Sequence, residues 1–112
     1  MKTVALSFLG TQIDAGKGPD RWNRWRPSVA LCQQDDLVID RFDLIHDRRH
    51  TKLADLIEED VRGISPETEV VHHIIDFGNP WDFQEVYGAM RDFADGYTFK
   101  PDEETYLANL ST

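Results

Sequence analysis

The stretch Val4-Ala5-Leu6-Ser7-Phe8-Leu9-Gly10-Thr11 decides how the rest of the chain is read. Its first half is almost continuously apolar rather than alternating. That is the pattern of a strand covered on both faces in a parallel sheet. Gly10 punctuates the run, and Gly16-Lys17-Gly18-Pro19 does not suit regular structure, so Gly10 to Arg21 is expected as a loop. In open α/β sheets, ligands sit at the carboxyl ends of the strands, and this loop leaves from such an end. It is longer than the roughly 2–6 residues usual for such a connection. Lys17, Arg21, Trp22, Arg24, Trp25 and Arg26 fall within it or just after it.

Outward from this strand, Pro27 suits the first turn of a helix running to Gln34, ended by Asp35-Asp36 and burying Val29, Leu31 or Cys32. Trp22 and Trp25 can form a preceding turn. A second strand is expected over Arg41–His46, with Phe42 and Leu44 on one face and Ile45 on the other. Leu53, Leu56, Ile57 and Val61 recur at three- and four-residue spacing, which predicts a helix over Thr51–Gly63 ended by its glycine. Val70, Val71, Ile74 and Ile75 mark a third strand over Glu69–Phe77. Asn79 is placed to cap a helix with Pro80 at its first position. Trp81, Val86, Met90 and Phe93 supply its stripe, and Gly96 stops it. A fourth strand over Thr105–Leu110 begins at Tyr106-Leu107.

The order β-α-β-α-β-α-β implies right-handed crossovers and a parallel sheet. The expected fold class is α/β, Rossmann-like, with helices on both faces and strand order 3-2-1-4. One domain over residues 1–112 is expected. Because the chain ends on an edge strand, it is expected to be a truncated piece of its domain, or to pair that edge with another chain.

At 40% hydrophobic and 11% aromatic, the chain can bury a core. A net charge of −9 excludes a protein that coats nucleic acid through a wholly basic surface. The charge is uneven, however. Between Asp14 and Arg26 four basic residues meet two acids, while the rest holds eight basic and nineteen acidic residues. One basic island on an acidic body suits a discrete anion site. The lone cysteine, Cys32, excludes an internal disulfide framework and reads as packing. No secretory signal and no run of membrane-helix length is recognisable, so a cytoplasmic location is expected.

The motifs are individually weak. Gly16-Lys17-Gly18 lacks the spacing of a P-loop, and Arg21 stands where the third glycine of a dinucleotide fingerprint would be. The cluster from Arg21 to Arg26 is more suggestive, since arginine forks match phosphate and tryptophan offers a stacking face to a base. The competing reading buries the tryptophans in the core and pairs the arginines with Asp14, Asp20, Asp35 or Asp36. His72 and His73, adjacent on a strand, point to opposite faces and cannot share a metal. His46 and His50 could share one only on a helix. No metal site or cofactor is expected. His46, at a strand end, is a candidate ligand contact. Glu58-Glu59-Asp60 and Glu103-Glu104 read as solvated surface, and no catalytic triad or carboxylate pair can be assembled.

Several of these runs together resemble the amino-terminal domain of the RtcR family of RNA-repair operon regulators. They are Ser7-Phe8-Leu9-Gly10-Thr11, Asp14-Ala15-Gly16-Lys17-Gly18, Arg21-Trp22, Trp25-Arg26-Pro27 and Leu31-Cys32-Gln33-Gln34. Leu44-Ile45-His46-Asp47, Ser65-Pro66-Glu67-Thr68-Glu69-Val70, Asn79-Pro80-Trp81-Asp82-Phe83, Glu85-Val86-Tyr87, Asp92-Phe93-Ala94 and Tyr106-Leu107 continue the resemblance in order along the whole chain. It implies a CARF-type, nucleotide-sensing domain that holds a sigma-54-dependent AAA+ ATPase repressed until ligand binds. It further implies a helix-turn-helix DNA-binding domain elsewhere in the full regulator, and control of genes for an RNA ligase and an RNA 3′-phosphate cyclase. The implied ligand is an RNA end, such as a 2′,3′-cyclic phosphate, or a small nucleotide. The implied assembly is a homodimer or higher homo-oligomer, with the AAA+ domain as partner and no membrane or direct DNA contact by this domain.

On this reading Gly10 lets backbone approach a phosphate and Thr11 offers a hydroxyl. Lys17, Arg21 and Arg26 supply charge, and Trp22 or Trp25 stacks. His46, Asn79 and Trp81 come from the ends of strands 2 and 3. Thr112 stands where family members begin a Thr-Gly-Thr-His segment that helps build the cleft. The domain is then not an enzyme. The alternatives are a CARF-type ring nuclease cleaving cyclic oligoadenylate through Ser7, Thr11, Lys17 or His46, and a dimerisation module without ligand.

Overall fold

A computed structural model describes residues 1–9, 18–23, 26–33, 37–76 and 82–109. Its described elements are β1 (Lys2–Phe8), a 3-10 turn at Pro19–Asn23, α1 (Pro27–Leu31), β2 (Arg41–Asp47), a 3-10 turn at Arg48–His50, α2 (Thr51–Ile64), β3 (Glu69–Ile75), α3 (Phe83–Gly96) and β4 (Glu104–Asn109). The four strands form one sheet in the order β3-β2-β1-β4. Every neighbouring pair is parallel, with Ala5 opposite Phe42 and Leu107, and Asp43 opposite Val71. This is the α/β arrangement that the strand–helix alternation predicts.

Strand alternation sorts the side chains onto two faces. Phe42, Leu44 and Ala5 turn toward α1 and α2, where Val29, Cys32, Ile39, Ala54, Ile57 and Val61 close a buried cluster around them. On α2, Ala54, Ile57 and Val61 fall on one helical face, so the amphipathic pattern and the burial agree. His72 meets α2, whereas His73 packs edge-on against Phe93 of α3. The helices therefore cover opposite faces. Asp40 holds the amino-terminal edge: its N–H donates to the Thr3 carbonyl at 2.8 Å, and its carboxylate accepts from the Thr3 N–H at 2.7 Å.

The element boundaries differ from expectation in several places. The helix after Pro27 ends at Leu31, before Gln34. Gly63 lies inside α2, which runs on to Ile64; the Ser65 N–H closes it on the Val61 carbonyl. β3 ends at Ile75, and β4 starts at Glu104, two residues before Tyr106. The cap of α3 is Asp82, whose carboxylate accepts from the Gln84 and Glu85 N–H groups at 3.0 and 3.3 Å. A carboxylate that satisfies two orphan donors defines the helix start, so Asn79 and Pro80 lie before the helix rather than at its first turn. Asn79 and Pro80, like Asp35 and Asp36, fall outside the described residues. Among the described residues no helix is long and apolar enough to cross a membrane.

Candidate functional site

The crossovers through α1 and α2 cover one face, and the crossover through α3 covers the other. The switch point of the sheet therefore lies between β1 and β4, at their carboxyl ends, where Ser7 pairs in register with Asn109. The segment that follows Leu9 leaves from this place. Of the residues assigned to a ligand site from sequence, Gly10, Thr11, Lys17, Trp25, Asn79, Trp81 and Thr112 lie outside the described residues. Arg21, Trp22, Arg26 and His46 are described.

Arg21 and Arg26 converge on Asp60 of α2. Arg21 grips it with a fork, donating from Nε and Nη2 to the two carboxylate oxygens at 2.9 Å each. Arg26 Nη1 donates to Oδ2 at 2.7 Å. Both guanidinium groups also lie over the Trp22 ring, at 5.5 and 5.0 Å from its centroid. Burial alone would raise the Asp60 carboxyl, but the hydrogen bonds from the two arginines outweigh it and hold the group below its ordinary value.

This cluster bears on three expectations and corrects two of them. The described partner of the two arginines is Asp60; Asp14, Asp35, Asp36 and the side chain of Asp20 lie outside what is described. Asp60 is buried, not solvated surface. Trp22 is 45% exposed and serves as a platform for the guanidinium groups rather than as a core residue. The sequence does carry the signal: Asp60 stands three residues after Ile57 and beside Val61, on the apolar face of α2. Asp60 lies about 13 Å along the helix axis from the start of α2, so the pair is set back from the carboxyl edge of the sheet.

His46 is buried on the α2 side of the sheet rather than open to a cleft. Its Nδ1 lies 2.8 Å from the Asp47 carbonyl oxygen, and its Nε2 lies 3.2 Å from Nδ1 of His72. His72 Nε2 contacts a carboxylate oxygen of Glu58. The other oxygen of Glu58 is held by Arg62 at 2.5 Å.

A second polar centre lies on the α3 face. The Asp43 carboxylate, almost fully buried, accepts from His73 Nε2 at 2.8 Å, from the Tyr97 hydroxyl at 2.6 Å and from Arg41 Nε at 3.1 Å. Arg41 continues to Glu104, with Nη1 2.6 Å from Oε2. Burial would raise the Asp43 carboxyl, yet its three donors outweigh that and hold it low. Arg41 and Tyr106 hold the Glu104 carboxyl low in the same way. Burial, together with the bond to Asp43, pushes the Tyr97 hydroxyl up to about 12. Glu104 is thus buried and paired, not solvated surface. These residues line a cavity of about 540 Å³ between the sheet and α3. Arg41, Asp43, His73, Tyr97 and Glu104 thus satisfy one another and tie β2, β3 and β4 to the end of α3. An acid between Phe42 and Leu44 in an apolar strand was the available sequence signal for it.

Cys32 is buried, and burial pushes its thiol up to about 12. It packs, as a lone cysteine in an apolar segment should.

Comparison with known proteins gives the chain a family context. Over residues 1–112 it matches the family described as RtcR, regulator of RNA terminal phosphate cyclase. It is 52% identical over 112 residues to the transcriptional regulatory protein RtcR of Escherichia coli (strain K12). The alignment covers 99% of this chain and 21% of that relative, so the chain spans about a fifth of the relative's length. No solved structure matches the chain.

Proposed function

The chain belongs to the RtcR family, and from that premise we propose that it is the ligand-sensing regulatory domain of a transcriptional activator of RNA-repair genes. Its ligand is an RNA end, of which a 2′,3′-cyclic phosphate is the leading chemistry. Binding relieves repression of a sigma-54-dependent AAA+ ATPase, with the domain working as a homodimer or higher homo-oligomer. The sensor itself catalyses nothing.

The observation that supports this reading is the parallel β3-β2-β1-β4 sheet, whose switch point lies where the segment 10–17 leaves β1. A phosphate needs donors, and Gly10, Thr11 and Lys17 of that segment are the assigned ones. Arg21 is the accessible cation of the described pair, with its side chain 18% exposed against 1% for Arg26. An anionic RNA end competes with Asp60 for it, while Arg26 stays paired and holds the loop to α2.

The test is calorimetry and thermal shift with short RNAs ending in 2′,3′-cyclic phosphate, 3′-phosphate or hydroxyl. It is run on this chain and on a chimera carrying these 112 residues in place of the matching part of the E. coli relative. Ligand that binds only the folded state raises the melting temperature by mass action. Selective stabilisation by one RNA end, weakened by Arg21→Ala, supports the sensor. Equal response to all ends, or none in either protein, retires the RNA-end assignment.

A further inference from the structure

We propose that Asp55, Glu58 and His72 form a binding site for a divalent first-row transition ion, such as zinc, at the β3 edge of the sheet. The site is independent of the RNA-end reading. Each of the three residues offers one ligand atom, and these atoms lie within 4.8 Å of one another. Asp55 and Glu58, three residues apart, share one face of α2, and His72 reaches that face from β3. An open cavity of about 340 Å³, lined by Asp55, Glu58, Glu59 and Arg62, adjoins them. An aqueous ion therefore has access, and waters have room to complete its coordination.

His72 is held from behind as well. Its Nδ1 lies 3.2 Å from His46 Nε2, and His46 Nδ1 lies 2.8 Å from the Asp47 carbonyl oxygen. His72 Nε2 faces a carboxylate oxygen of Glu58, and Asp55 converges on the same place. A proton shared by His72 and Glu58 would hold those two alone, whereas a metal ion would draw on all three.

The surroundings fit such an ion. A polar partner behind the imidazole orients metal-bound histidines, and buried His46 occupies that place here. Arg62 holds the far oxygen of Glu58 and leaves the near one aimed at the site. One imidazole nitrogen and two carboxylate oxygens suit zinc and its neighbours at about 2.0–2.2 Å, with water in the open positions. The bound ion ties α2 to β3.

The test uses the purified chain, stripped with chelator and titrated with zinc chloride by calorimetry at neutral pH. Cobalt absorption reports the ligand field. One ion per chain is expected, with a melting temperature that rises with free zinc. Asp55→Asn, at an exposed position that the fold does not need, and His72→Gln are each expected to weaken binding at least about tenfold, the loss that disturbing even an outer partner produces. His50→Gln, outside the cluster, leaves the affinity unchanged. Absence of stoichiometric binding overturns the site. So does binding that survives both Asp55→Asn and His72→Gln, which would be an adventitious ion elsewhere and leave His72–Glu58 as a proton-held pair.

Discussion

The two faces of the sheet are built on different physics. Toward α1 and α2, strand β2 turns Phe42 and Leu44 into an apolar cluster whose members are almost wholly excluded from water. Toward α3, the same strand turns Arg41 and Asp43, and α3 buries none of its side chains. Phe83 and Tyr87 of α3 stack on each other at 6.3 Å, facing solvent at 79% and 59% exposure. One face coheres through area removed from water, which is non-directional and tolerant of small shifts. The other coheres through donors and acceptors that must stay matched. The cavity of about 540 Å³ lies on that second face because charge pairs fix positions without filling volume.

The strongest way to break this contrast is to truncate each face in turn. Phe42→Ala should cost about 3–5 kcal/mol, the usual loss for a large aromatic deleted from a closed core. Urea denaturation read by circular dichroism measures it. A loss under about 1 kcal/mol would show that the α1–α2 face is not the cohesive one.

Asp43→Ala comes next. It strips His73 and Tyr97 of their acceptor but leaves Arg41 paired with Glu104. The expected loss is about 1–3 kcal/mol by the same assay, since the stranded donors are only partly shut off from water. A neutral result would mean that the polar network is incidental to the fold.

Acid sharpens the comparison without a mutation. Asp43, Asp60 and Glu104 are held below their ordinary pKa values in the folded chain. Between the folded and unfolded values the unfolded chain binds more protons, so stability rises with pH across that window. The contribution is fully present above the ordinary carboxylate range of about pH 4 and is lost as pH falls through the folded values. Melting temperatures recorded from neutral pH downward should show this decline. Asp43→Asn and Asp60→Asn should each flatten part of it, the first for the α3 face and the second for the α2 side. An unchanged slope in both variants would place the acid sensitivity elsewhere.

The smallest effect is expected from Phe83→Ala. Its side chain is largely solvated and touches Tyr87 of the same helix. Stability should move by no more than about 0.5 kcal/mol. A core-sized loss would mean that α3 is covered in solution.

The strands were legible because short apolar and β-branched runs carry that information locally: Val4 to Leu9 is almost continuously apolar, as a strand covered on both faces should be. α2 was legible from its helical period: Ile57 and Val61 announce the buried face. Errors of up to three residues at the ends follow from caps that compete locally. Asp82 and Asn79 are both capping residues, and only backbone geometry shows which one the Gln84 and Glu85 N–H groups choose. The candidate site was far less legible. Arg21 and Arg26 were singled out for their charge, but their partner Asp60 lies 39 and 34 residues away. Glu58, His72 and His46 were read separately because 14 and 26 residues separate the members that touch.

By itself, the sequence determined the alternation of strands and helices, the parallel sheet with its order, the face each strand residue takes, and the family. These follow from local period and from the handedness of crossovers, which act between neighbours along the chain. Only the tertiary structure decided which charges are spent on one another. Asp60 holds two arginines, Asp43 gathers Arg41, His73 and Tyr97, and His46 leans on His72. Pairing of that kind depends on distances across the folded sheet. A carboxylate carries no mark in the sequence that says whether water or an arginine will meet it.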